Sequence, residues 1–245
     1  MTLRGVWIGM LAPVMALELL GDWSDVANRD TQWGAAPTAS GEYEIDTPQA
    51  LAQFAWQVNA GRHFAGEVVS VTAPIDLTAE LWVPAGSVAQ PFRGRFIGRA
   101  PISNMCVDSQ ASHAGFFGYV GSGGVLEGVV LTGIDVRHSF RRGCYVGGVV
   151  GELCDGLLLD CSASGSVVSQ SMNGSGDQHV RVGGIAGLVW SHYPNFNAPQ
   201  LLVNRCMNHC AVQATLTGSA GNVYAGASPG AAMPASCSTA PIQAV

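Results

Sequence analysis

The sequence predicts an all-β fold, a right-handed parallel β-solenoid with an N-terminal capping helix, and three observations carry that expectation. First, a glycine-flanked apolar element occurs three times, as Ala114-Gly115-Phe116-Phe117-Gly118, Gly147-Gly148-Val149-Val150-Gly151 and Gly183-Gly184-Ile185-Ala186-Gly187. The last glycines lie 33 (151 − 118) and 36 (187 − 151) residues apart, a repeat period of the kind that stacked architectures show. Second, a further apolar element follows each copy. Leu157-Leu158-Leu159-Asp160-Cys161 leads to Gly165 and Val167, and Leu201-Leu202-Val203-Asn204-Arg205-Cys206 leads to Cys210 and Val212 at the same offsets. The first copy, Val125-Leu126-Glu127-Gly128-Val129 leading to Gly133, keeps the shape without the cysteine. Third, the chain is 48% hydrophobic, only 11% charged, and holds 32 glycines in 245 residues. That balance is the reverse of a disordered chain and suits short strands joined by tight turns.

Each repeated element is a short apolar strand bounded by glycine, and no single turn of chain can bury its own apolar face. Stability must come from stacking one turn on the next, with equivalent side chains about 4.8 Å apart. Cys161 and Cys206 hold matching positions, so both are expected inside the coil. Asp160, just before Cys161, fits a corner hydrogen bond.

The leading segment fits the same plan. Tyr43-Glu44-Ile45-Asp46 reads as a strand. Thr47 then caps a helix with Pro48 at its first position and Gly61 at its end, and its apolar face is Leu51, Phe54, Ala55 and Val58. Such a helix would cover the open end of the first coil, whose strand edges are otherwise exposed. Glu67–Thr72, Ile75–Leu77, Phe92–Phe96 and Ile102–Val107 read as the first coils. Trp23 and Trp33 either pack on the cap or belong to a preceding module. The organisation predicted is an N-terminal segment over residues 1–40, helix and first coils over 41–112, repeats over 113–225, and a disordered tail or truncated repeat over 226–245. Within residues 1–40, Arg4 followed by the apolar run Gly5–Ala16 is compatible with a signal peptide or with a packed segment, and is too short to span a bilayer as a helix.

The element G-G-h-h-G (h apolar), followed by an apolar strand and N/D-C-x-x-x-G-x-V, resembles the GLUG repeat of bacterial surface proteins. Those include adhesins and the stalk regions of immunoglobulin-A-cleaving metalloproteases. The resemblance covers roughly residues 41–225, and the Gly183–Gly187 copy is the nearest to the motif. It implies a β-solenoid in an extracellular or cell-surface protein, with a host or environmental glycan or a surface protein as partner.

Several function classes are set aside by what the chain holds. The net charge of −6, with eleven Arg and no Lys, gives no electrostatic footprint for nucleic acid. The one tight basic pair, Arg141-Arg142, reads as a solvated turn. Seven cysteines cannot close a disulfide framework, and Cys206-x-x-x-Cys210 lacks a second pair at zinc-site spacing, so small apolar packing is the expected role. The six histidines make no H-E-x-x-H, and no phosphate loop or Gly-x-Ser-x-Gly occurs, so no cofactor or metal is expected. A polysaccharide lyase or hydrolase on a β-helix would need carboxylates converging on one outer face, while the acidic residues, among them Asp108, Glu127, Asp135, Glu152 and Asp155, are scattered singly.

The predicted function is therefore a non-catalytic repeat module, serving as an adhesin-like binding surface or a rigid stalk. The linker after Gly187 is longer than its counterpart and holds Trp190, His192, Tyr193 and Phe196, which makes it the candidate ligand-binding loop. Folding back over a neighbouring coil is its alternative role. Gln170–Val180, rich in Ser, Asn and Gly, reads as a flexible tip.

Overall fold

The computed structural model describes residues 21–140, 143–172, 179–191, 202–217, 222–226 and 242–243. Strand dominates, one α-helix is present among these residues, and the sheets are built of parallel pairs. The chain runs through β1 (Tyr43–Ile45), α1 (Pro48–Asn59), β2 (Val68–Val71), β3 (Ile75–Asp76), β4 (Arg95–Gly98), β5 (Ile102–Ser103) and β6 (Cys106–Ser109). A four-strand unit then recurs. Its first pass is β7 (His113–Ala114), β8 (Phe117–Val120), β9 (Val125–Glu127) and β10 (Val130–Phe140). Its second is β11 (Cys144–Gly147), β12 (Val150–Cys154), β13 (Leu157–Leu159) and β14 (Ser162–Met172). Its third is β15 (His179–Gly183), β16 (Ala186–Trp190), β17 (Val203–Asn204) and β18 (Met207–Thr217). After it come β19 (Asn222–Gly226) and β20 (Ile242–Gln243).

Each strand pairs with its counterpart in the next pass. The sheet orders are β7-β11-β15-β19, β8-β12-β16, β1-β2-β4-β9-β13-β17 and β3-β5-β10-β14-β18, with β6 also beside β10 and β20 antiparallel on β18. The register matches the repeat read from the sequence. Ala114 pairs with Val146 and Val146 with Val182, while Phe117 pairs with Val150 and Val150 with Ala186, so the flanking glycines superpose. Gly165 and Val167 sit opposite Cys210 and Val212. The first copy differs by one residue: Ile134, not Gly133, faces Gly165, because the register shifts between Leu131 and Ile134. Glycine is required at 165. Its φ is +134°, and a Cβ there would stand 2.1 Å from the Ile134 carbonyl oxygen.

Inside the sheets, inward positions are apolar and stacked. Leu126 pairs with Leu158 and Leu158 with Val203, and Val136 lies beside Val167 and then Val212. The N-terminal end of the core is aromatic. Phe54 of α1 meets Phe64, Phe92, Phe96 and Phe117 at ring separations of 5.3 to 6.0 Å. The Phe116-Phe117 pair of the first copy thus replaces the aliphatic pair to pack beside the helix. As expected, the Thr47 side chain accepts from the Ala50 N–H, and Leu51, Phe54, Ala55 and Val58 are buried. Trp33 packs on Phe54 and Tyr43, and Trp23 is buried in the same core.

Two sequence expectations need correction. Gln170–Val180 is not a tip throughout: Gln170–Met172 end β14 and His179–Val180 begin β15. The reason is that β14 alternates into the interior with small polar groups. Ser169 and Ser171 are fully buried and both contact the Cys144 thiol, while Ser169 also bonds His138 Nδ1 at 3.0 Å. Cys206 is also only half-buried, whereas Cys161 is fully enclosed. The six described cysteines are free thiols, and three of them, Cys144, Cys154 and Cys161, are buried. Cys237 and the Arg141-Arg142 pair lie outside the described residues. No helix among those described is long and apolar enough to cross a membrane.

Candidate functional site

Turns at Gly115-Phe116 and Gly148-Val149 bend the chain between the β7-β11-β15-β19 sheet and the β8-β12-β16 sheet. The bend is tight: a Cβ at Gly148 would lie 2.3 Å from the Gly184 carbonyl oxygen of the next pass. On the first of these sheets, strand alternation buries Cys144 and Val146 and turns Tyr145 outward. Its counterparts are His113 below and Arg181 above, with Tyr224 beyond. These side chains form a continuous outer stack. The His113 and Tyr145 rings are 5.2 Å apart, and the Arg181 guanidinium lies 5.4 Å from the Tyr145 ring and 5.3 Å from that of Tyr224.

The second sheet brings a carboxylate to the stack. Glu152 on β12 faces outward in register with Tyr119, yet only 6% of it is exposed, because its neighbours cover it. One carboxylate oxygen is 2.7 Å from His113 Nε2, and the other accepts from the Trp190 indole N–H at 2.6 Å. His113 Nδ1 in turn meets the Ser112 hydroxyl at 2.8 Å. A buried carboxylate needs such partners, so Glu152 holds His113 and Trp190 in place. Beside it, burial above all pushes the Tyr119 hydroxyl well above the usual phenol range, helped by its hydrogen bond to Cys154. Ser191 donates to Asp155 Oδ1 at 2.6 Å. The Trp190 indole N–H is engaged by Glu152, and the stack offers aromatic faces together with a guanidinium.

Trp190, expected in an inserted loop, is the last residue of β16 and pairs with Cys154. His192, Tyr193 and Phe196 lie outside the described residues. The structure joins Trp190 to Glu152, His113, Tyr145, Arg181 and Tyr224, none of which the sequence reading chose. A signal for them existed. His113, Tyr145, Arg181 and Tyr224 each stand two residues before a glycine of the repeat (Gly115, Gly147, Gly183, Gly226), so reading the aligned repeats by column exposes the stack.

A second feature lies on the long-strand sheet. Asp108 is in register with Arg137, and both line a hollow of about 370 Å³ together with Asp135 and Gln170. Asp135 pairs with Arg137 at 2.6 Å and accepts from Ser166 at 3.0 Å. Among the described residues, no group of three or more His, Cys, Asp or Glu side chains could hold a metal ion. No family model, curated protein or solved structure matches this chain.

Proposed function

We propose that this chain is a non-catalytic β-solenoid module of a bacterial surface or secreted protein, built of GLUG-type repeats, and that it binds saccharide on its outer aromatic stack. The strand-for-strand parallel pairing of successive repeats supports one right-handed coil with α1 over its first turn. A wound coil of this kind separates its two ends by a rigid length, which suits a stalk or adhesin arm. The observation that carries the binding reading is the stack itself. Tyr145, Arg181 and Tyr224 lie on adjacent strands, with Trp190 fixed beside them by Glu152. Flat aromatic faces match the apolar faces of pyranose rings, and their strand spacing lets an extended glycan lie across several passes.

The test is a glycan microarray probed with the full chain and with Trp190→Ala and Tyr145→Ala variants. Specific binding weakened at least tenfold in both variants supports the reading. Binding that survives both substitutions moves the site elsewhere, and absence of binding to every glycan leaves the stalk role alone. A second reading, a polysaccharide lyase or hydrolase, draws on Asp108, Asp135 and Arg137 lining one hollow. Release of unsaturated or reducing ends from a polysaccharide panel, lost in Asp135→Asn, would favour it.

A further inference from the structure

Resting on the saccharide reading, we infer that Arg181 is the selectivity element of the stack and that the ligand is an acidic sugar whose carboxylate docks on the Arg181 guanidinium. Arg181 sits on β15 between two tyrosine rings, at 5.4 Å from Tyr145 and 5.3 Å from Tyr224. In register with both, the guanidinium thus has an aromatic ring on the strand to either side. Among the described residues no carboxylate or carbonyl pairs with its N–H donors. The nearby acid of the same outer surface, Glu152, spends its two oxygens on His113 and Trp190. A guanidinium flanked by two tyrosine rings and without an acidic partner suits a planar oxyanion such as a carboxylate, which it can grip through two parallel hydrogen bonds. The neighbouring rings restrict the side chain, so less freedom is lost when the anion arrives. His179, two residues earlier on the same face of β15, adds a second polar group. Its ring packs on Tyr224 at 5.8 Å, and its Nδ1 is buried without a partner.

The uronic and sialic acids carry a carboxylate on a pyranose ring, which unites the two halves of the site: ring against aromatic face, carboxylate against Arg181. The probes are a tri-galacturonate with its methyl ester, and sialyllactose with lactose, titrated calorimetrically into the full chain, Arg181→Gln and Arg181→Lys. Expected is an acid form that binds at least tenfold tighter than its neutral partner. Arg181→Gln should abolish that preference, and Arg181→Lys should restore it only partly, since an ammonium neither stacks nor bridges both oxygens. Equal binding of acid and neutral forms overturns the inference and leaves the saccharide reading standing. A preference for acid that persists in Arg181→Gln, with circular dichroism unchanged, also overturns it. Binding of none of the four probes overturns it, and the microarray then decides separately whether any neutral glycan binds.

Discussion

At the residue scale, two buried polar groups show how the fold sets proton affinity. Cys161 and Cys206 occupy matching places at a corner, each following a residue with positive φ, Asp160 at 54° and Arg205 at 51°. The neighbouring Cys161 thiol brings the Cys206 thiol below the ordinary cysteine range, while Cys206 and burial drive Cys161 up. Alkylation of Cys206 by iodoacetamide, followed by peptide mass spectrometry, should therefore set in at lower pH than that of Cys161. In Cys161→Ala the Cys206 midpoint should move back toward the ordinary thiol value of about 8.5. His138 provides the second case. Burial lowers its pKa, a carbonyl bond from Ala111 opposes this, and the nearby His113 adds to the lowering. The unfolded chain therefore takes up the proton first. The contribution of His138 is complete above the unfolded value of about 6.5 and is lost as pH falls below it toward the folded value. Urea midpoints taken at pH 7 and pH 5 should fall further for the native chain than for His138→Gln; equal losses would show that His138 does not carry the pH dependence.

At the scale of single elements, α1 and β14 show two ways of filling an interior. The helix contributes one ring, Phe54, to a cluster of four others, and its Thr47 cap satisfies an otherwise unpaired N–H. Phe54→Ala should cost about 3–5 kcal/mol, because the surrounding rings cannot collapse into the space. Thr47→Ala should cost only about 1 kcal/mol. Thermal or urea unfolding of the two variants separates them, and equal losses would mean that the helix is peripheral to the core. β14 is different in kind. Its inward serines would be costly alone, but Ser169 bonds His138 and both Ser169 and Ser171 contact Cys144, so the polar groups are paired inside the sheet.

For the molecule as a whole, stability is distributed along the stack. β11 is held by β7 on one side and β15 on the other, and β14 by β10 and β18, whereas β19 pairs with β15 alone among the described residues. In a stack of nearest neighbours, protection should be greatest where both flanks are made. Hydrogen exchange read by mass spectrometry should thus show slower amides in β11 and β14 than in β19. Uniform protection through all passes would indicate a single cooperative unit instead.

The sequence alone determined the repeat and most of its register, all but the one-residue shift that brings Ile134 opposite Gly165. Glycine spacing and the apolar pairs at Val149-Val150 and Ile185-Ala186 are local signals, and stacking preserves them one-to-one, as the pairing of Phe117 with Val150 and Val150 with Ala186 shows. The helix was equally legible, since Thr47, Pro48 and the Leu51–Val58 face act within a few residues of each other. Only the tertiary structure decided the outer stack and the polar interior. Glu152 reaches His113 and Trp190 across 39 and 38 residues, and Arg181 lies between Tyr145 and Tyr224 on strands from three different passes. A single pass carries one member of each such group. The groups come into existence when strands from successive repeats pair in parallel at strand spacing, which is a property of the paired sheets and not of any segment in them.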